Sequence, residues 1–178
     1  MTYYIAYATE DGAITAIPAG PDHDAAYEAY VERMELFAGA GLDLAKDLRW
    51  RGLFDLPYLA RNIAVSLDPT LFIEVDLYPE HFPGQGHGVL NAGRFQSFQG
   101  WGLDNGPFVF MYYDDDGSVR TTPPKETLLE AWTCFEEHPR AARRFHLCNP
   151  ITAAVRLLRE KVLKDHPGMV ASITRHTA

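Results

Sequence analysis

The hydrophobic period of this chain changes several times, and each change restricts what a segment can become. Near the N-terminus Tyr3, Ile5 and Tyr7 alternate with Tyr4, Ala6 and Ala8, and Ile14 and Ala16 follow Asp11-Gly12. Alternation places successive side chains on opposite faces of a strand. Asp-Gly suits a type I′ turn, which needs positive φ at both central residues. A hairpin is therefore expected, ended by Pro18 and Gly20-Pro21. Asp22 or Asp24 can cap the helix that follows by accepting from first-turn amides. Its expected inner face is Tyr27, Tyr30, Val31, Met34, Phe37 and Ala38, opposite Glu28, Glu32 and Glu35, with Gly39 and Gly41 at its end. A short helix is expected over 42–50. Another, capped by Asp55, carries Leu56, Leu59, Ala60, Ile63, Ala64 and Leu67 on one stripe and closes at Asp68-Pro69.

The period then drops to 2. Leu71, Ile73, Val75 and Leu77 face one way, and Phe72, Glu74, Asp76 and Tyr78 the other. A loop rich in Gly and Pro is expected over 79–93 and a weaker strand from Arg94 to Gln99. Phe108 to Tyr113 is apolar on both faces, as central strands are, and Asp116-Gly117 turns it into Val119–Thr121. The last third reads as helical. One helix starts at Thr122-Pro123-Pro124 with Leu128, Ala131, Trp132 and Phe135 inward, and a short basic one follows His138-Pro139. A third begins at Asn149-Pro150, with Ile151, Ala154, Val155, Leu158 and Val162 on its stripe and Glu160 paired to Lys164 outside. His166-Pro167-Gly168 ends it, and Met169 to Thr174 adds a last strand. Trp132 and Leu158 are expected in the core. These elements predict an α+β fold: a mostly antiparallel sheet, made of the N-terminal hairpin and a central meander, packed with about five helices in a single layer on one face. With 178 residues and no linker or repeat, residues 1–178 read as one domain.

Charge divides the sequence unevenly. Residues 1–137 hold 22 acidic against 8 basic residues, and 138–178 hold 2 against 8, giving −14 and +6 within a net −8. An acidic body disfavours general binding to nucleic acid, which needs a positive face to displace counterions. Only the basic tail, with Arg140, Arg143 and Arg144, could touch a phosphate or RNA backbone; docking of the 138–164 helices against the acidic body is the plainer expectation. The N-terminus has no basic start followed by an apolar run, and no segment is long and apolar enough to span a bilayer, so a cytoplasmic protein without membrane contact is expected. Cys134 and Cys148 lack CxxC spacing and read as two buried thiols in a reducing compartment. Arginine outnumbers lysine 12 to 4, which points to a GC-rich bacterial genome.

Candidate chemistry is thin. Glu74 and Asp76 share a strand face about 6.5–7 Å apart, close enough to perturb each other or hold a cation, though a solvated strand face is the plainer expectation. In the following loop His81 and His87 offer an acid and a base, with Arg94 as an anion anchor, but their spacing fits no zinc motif. Gly84-x-Gly86-x-Gly88 lacks the helix start of a dinucleotide fingerprint. Trp101 stands between glycines, with Asp104 beyond it, and either folds back on the core or offers an aromatic anchor to a partner. Asp114, Asp115 and Asp116 form an acidic hairpin tip; read as a calcium loop, they would put Tyr112 and Pro123 where carboxylates are required. No serine elbow, P-loop or H-E-x-x-H is present. No cofactor or metal is implied. The leading reading is a protein-binding domain of the immunity or antitoxin type that neutralises a basic partner, through Trp101, Asp104 and the 114–116 acids. The rival is a small-molecule or phosphate-handling enzyme using His81, His87, Glu74, Asp76 and Arg94; a third is weak RNA binding through the Arg140 patch.

Overall fold

The computed structural model describes residues 1–77, 89–91, 94–95, 106–137 and 144–175. In chain order the elements are β1 (Tyr3–Thr9), β2 (Ile14–Gly20), α1 (His23–Gly39), β3 (Leu48–Asp55), α2 (Leu56–Leu67), β4 (Leu71–Asp76), β5 (Val89–Asn91), β6 (Arg94–Phe95), β7 (Val109–Tyr113), β8 (Val119–Thr121), α3 (Leu128–Glu136), β9 (Phe145–Cys148), α4 (Pro150–Leu157) and β10 (Val170–Arg175). Helix α4 runs on through a π-helical stretch, Leu158–Val162, and a final turn, Leu163–Asp165. The fold is α+β and mostly antiparallel, with four helices among the described residues. It divides into two compact units, each drawn from two stretches of sequence: Met1–Asp55 with Phe108–Leu147, and Leu56–Pro107 with Cys148–Ala178.

The first unit holds a six-stranded sheet in the order β3-β1-β2-β8-β7-β9. Its two hairpins share one device. In each, the fourth turn residue is a glycine at positive φ, Gly12 at 87° and Gly117 at 83°, and among the described residues no other residue type has positive φ. Gly12 N donates to Thr9 O, and Thr9 N donates to Ala13 O; Gly117 N to Asp114 O and Asp114 N to Ser118 O repeat the pattern. This is a turn closed by a glycine bulge rather than the expected type I′ turn, which would have put Asp11 at positive φ as well. The aspartate before each glycine caps the returning strand: Ala13 N donates to Asp11 and Ser118 N to Asp116.

Helix α1 is capped by Asp22, which accepts from Ala25 N at 2.8 Å. Leu42 N donates to Phe37 O and Gly41 N to Ala38 O, the paired bonds that close a helix at its C-terminus. The helix packs on β1, β2 and β3. Its buried residues are Ala26 and Met34, with Tyr30 and Phe37 half-buried, whereas Tyr27, Val31 and Ala38 are exposed. The inner face is thus rotated from the expected one, because Tyr3 and Tyr7 on β1 meet His23 and Phe37 edge-on and small Ala26 lets the helix approach. The expected helix over 42–50 is instead a turn running into β3, which pairs with β1 along its length. Helix α3 begins at Leu128, after a reciprocal capping box between Thr127 and Glu130, not at the prolines 123–124. The stretch expected to be wholly helical before Asn149 contains β9; residues 138–143, including Arg140 and Arg143, lie outside the described residues.

In the second unit the sheet order is β4-β10-β5-β6. Helix α2 buries all six residues of its expected stripe, from Leu56 to Leu67. It packs against β4, α4 and the π-helical stretch. The Asn149 cap and Pro150 start of α4 are as expected, as are buried Ala154, Val155, Leu158 and Val162; Ile151 is only half-buried. Glu160 is reached at 3.5 Å by Arg156, one turn earlier in the helix. The last strand, β10, pairs with β4 from Val170 opposite Asp76 to Arg175 opposite Leu71. Val89–Asn91, placed in the expected 79–93 loop, is a strand, and of the expected 94–99 strand Arg94–Phe95 is described.

Two local environments carry direct predictions. Burial raises the pKa of Asp68, but hydrogen bonds from Thr70 Oγ1 (2.6 Å) and Thr70 N (3.0 Å), with Arg175 at 3.0 Å, outweigh it and hold the carboxyl below its ordinary value. The unfolded chain therefore takes up this proton first. The stabilisation is whole above the ordinary Asp range, about pH 4, and fades as pH falls through the native value. Because the ion pair is partly solvated, Asp68→Asn should cost no more than about 1 kcal/mol at pH 7. The same substitution should have no effect in urea titrations once pH lies below the native value.

Burial pushes the Cys148 thiol up to about 12, and its surroundings are closed, whereas Cys134 is half-buried on α3. Thiolate is the reactive form. Iodoacetamide at pH 8 should label Cys134 in the native protein and reach Cys148 only after urea is added; two equivalents taken up at one rate would contradict this packing.

Candidate functional site

The first unit exposes a continuous aromatic face built on one buried ring. Phe110, 1% exposed on β7, stacks on Phe135 of α3 with centroids 4.5 Å apart. Phe145, at the start of β9, lies 4.5 Å from Phe135, and the Trp132 indole meets Phe110 edge-on at 5.7 Å. The interior thus receives Phe110 and Phe135, and the outer members of the cluster reach solvent: Trp132 is 46% exposed and Phe145 42%. Leu128 (41%) and Leu129 (75%) extend the same side of α3. Trp132 was expected in the core. It is held at the surface because a nine-residue helix buries a narrow stripe, Ala131 and Phe135, and Phe110 fills the space beneath.

The indole is not loose. Trp132 Nε1 donates to Glu136 Oε1 at 2.7 Å, one turn along the helix, which fixes the ring on Phe110. Glu136 stands beside the indole, and Glu126, Glu130 and Glu137 make the stretch 126–137 wholly acidic, with Lys125 before it and exposed Arg144 next to Phe145. An exposed apolar cluster with a polar rim is the usual anatomy of a protein interface, and tryptophan is a favoured anchor within one.

Helix α1 adds to the charge of this unit. At 100° per residue, Asp24, Glu28, Glu32 and Glu35 fall on its outer arc, and all four are exposed. Across the two units the charge separates cleanly. The stretches 1–55 and 108–147 hold 17 acidic and 9 basic residues, net −8; 56–107 and 148–178 hold 7 and 7, net zero. The entire net charge of the chain belongs to the unit that carries the aromatic face.

The expected binding residues fare differently from one another. Asp114 is bound by Arg120 Nε, and Asp116 accepts from Ser118 N at 2.8 Å, a bond that holds its carboxyl below the ordinary range. Both aspartates shape the hairpin; Asp115 stands exposed at the tip. Trp101 and Asp104 lie outside the described residues. The residues of the enzyme reading are only partly placed. Glu74 and Asp76 line a groove of about 500 Å³ in the second unit, between β4 and the first turns of α2, which contributes Pro57, Tyr58 and Arg61. Arg61 and Tyr58 had no signal in the sequence beyond being polar positions on the far side of a buried stripe. His81 and His87 lie outside the described residues, and Arg94 is placed by its backbone, on β6. Among the described residues no group of three or more His, Cys, Asp or Glu side chains could hold a metal ion, and no helix is long and apolar enough to cross a membrane.

Leu129 and Trp132 are the site residues that sequence reasoning missed. Leu129 did carry a signal: two adjacent leucines after a cap cannot both face inward from a narrow helical stripe. Comparison with protein-family models, curated proteins and solved structures finds no match to this chain.

Proposed function

We propose that this chain works by binding another protein through the face formed by α3 and the start of β9. It is of the immunity or antitoxin kind, a bacterial cytoplasmic protein that occupies and neutralises a basic toxin or enzyme. The observation that carries this reading is the half-exposed Trp132, held in place by Glu136 and Phe110 on the unit that holds the chain's net negative charge. Apolar anchors supply affinity, while complementary charge accelerates capture of a basic partner and repels nucleic acid. Two free thiols suit a reducing compartment.

The test is co-purification from native lysate at low salt, followed by assay of whatever is retained. A basic protein should be recovered in one-to-one complex, and its activity should fall to background when the chain is added back. Recovery of the free chain alone, at concentrations where a tight complex persists, counts against the reading.

The groove beside β4 supports a second reading, small-ligand chemistry in the second unit, since its volume lies in the range of ligand sites. It requires His81 or His87 to converge on Glu74, Asp76 and Arg61. A turnover that survives Glu74→Gln combined with Asp76→Asn would remove it.

A further inference from the structure

We infer that the α3 face is shaped for one amphipathic helix of the partner, carrying an apolar stripe with a lysine- and arginine-rich rim. This inference rests on the protein-binding reading and names the element that docks. Leu129, Trp132 and Glu136 follow one another at i, i+3 and i+7, the seam along which two helices pack. Leu128 widens the seam on one side, and Phe145 of β9 continues the cluster beyond Phe135. The nine residues of α3 span about 14 Å at ~1.5 Å per residue, room for two to three turns of a facing helix.

Charge selects the occupant. The seam passes from leucines to Glu136, so a helix whose apolar residues cover Leu129 and Trp132 must place its next seam residue against a carboxylate. A lysine or arginine there gains a partner, and a glutamate is repelled. The net charge of −8 on this unit extends the same preference at longer range, and α3 itself has no basic residue to oppose it. An anionic lipid surface is disfavoured on the same ground. Because the indole is already fixed by its bond to Glu136, docking freezes little additional side-chain freedom at the anchor.

The experiment uses the full chain and three synthetic 18-residue peptides in fluorescence-anisotropy titrations. One is a helical peptide with a leucine stripe at i, i+3, i+4 and i+7 and a lysine rim; the second has the same stripe with a glutamate rim; the third alternates lysine and leucine as an extended strand. The lysine-rimmed helix should bind at least tenfold more tightly than either of the others. Leu129→Glu, at a position 75% exposed, should leave circular dichroism unchanged and weaken that binding at least tenfold, as should Trp132→Ala. Equal affinity for the lysine- and glutamate-rimmed helices, preference for the extended peptide, binding indifferent to Leu129→Glu, or self-association of the chain through this face would each overturn the inference. If no peptide binds while the chain still captures a basic protein, the helix is wrong and the protein-binding reading survives. If no protein is captured either, both fall.

Discussion

Replacing Phe110 by alanine should destabilise the chain by about 3–5 kcal/mol in urea titrations. The ring is 1% exposed and stands at the centre of an aromatic cluster, stacked on Phe135 at 4.5 Å and in contact with Phe145 and Trp132 at 6.1 and 5.7 Å. Its loss removes apolar contact on three sides and leaves a cavity that β7, flanked by β8 and β9, cannot collapse to fill. The same change removes the floor on which Trp132 rests, so partner binding should fall as well. Trp132→Ala, by contrast, deletes a side chain already half in solvent and should cost clearly less stability than Phe110→Ala. A Phe110→Ala effect below about 1 kcal/mol would mean that the cluster is a surface feature and not the core beneath one.

Leu158→Ala should cost about 2–5 kcal/mol in the other unit. Leu158 is fully buried where α4 passes into its π-helical stretch, against α2. Leu158 and Val162 continue the buried stripe of Ala154 and Val155 through this stretch. A methionine at the same place conserves volume and should cost less than about 1.5 kcal/mol. A loss below about 0.5 kcal/mol for the alanine variant would mean the stripe faces outward.

Elements whose burial follows from their own periodicity were legible in the sequence. Helix α2 buries six residues at helical spacing, and β10 follows a clear Pro-Gly stop, so both lie where the pattern puts them. In strand β3, Leu48 and Trp50 alternate with Arg49 and Arg51, a period too short to stand out before Gly52 breaks it. In the structure a Cβ on Gly52 would stand 2.8 Å from Phe54 Cζ: the ring folds over the gap and supplies packing that the glycine does not. Strand β9 is four residues beside a run of arginines, too short to show a period. Trp132 illustrates a different limit. Periodicity says which residues of α3 share a side but not how wide the buried stripe is. That width is set by Phe110, eighteen positions before the helix begins.

Charge was legible in amount and not in place. Read linearly, it divides into an acidic body and a basic tail. The units are interleaved in sequence, and the division by unit becomes −8 against zero, with Glu136 bonded to the exposed tryptophan. In the acidic tip at 114–116, conspicuous in the sequence, Asp114 and Asp116 also build the hairpin, binding Arg120 and Ser118 N.

The most direct test of the α3 face is the affinity of the chain for its co-purified partner, compared between the natural sequence and Leu129→Glu. Leu129 touches solvent over most of its surface, so the substitution should leave the melting temperature within a degree or two. At the centre of an interface it buries a charge in an apolar contact, and the dissociation constant should rise by about 30-fold or more, the equivalent of about 2 kcal/mol. An unchanged dissociation constant, with the fold intact, would place the partner elsewhere and contradict the assignment of this face.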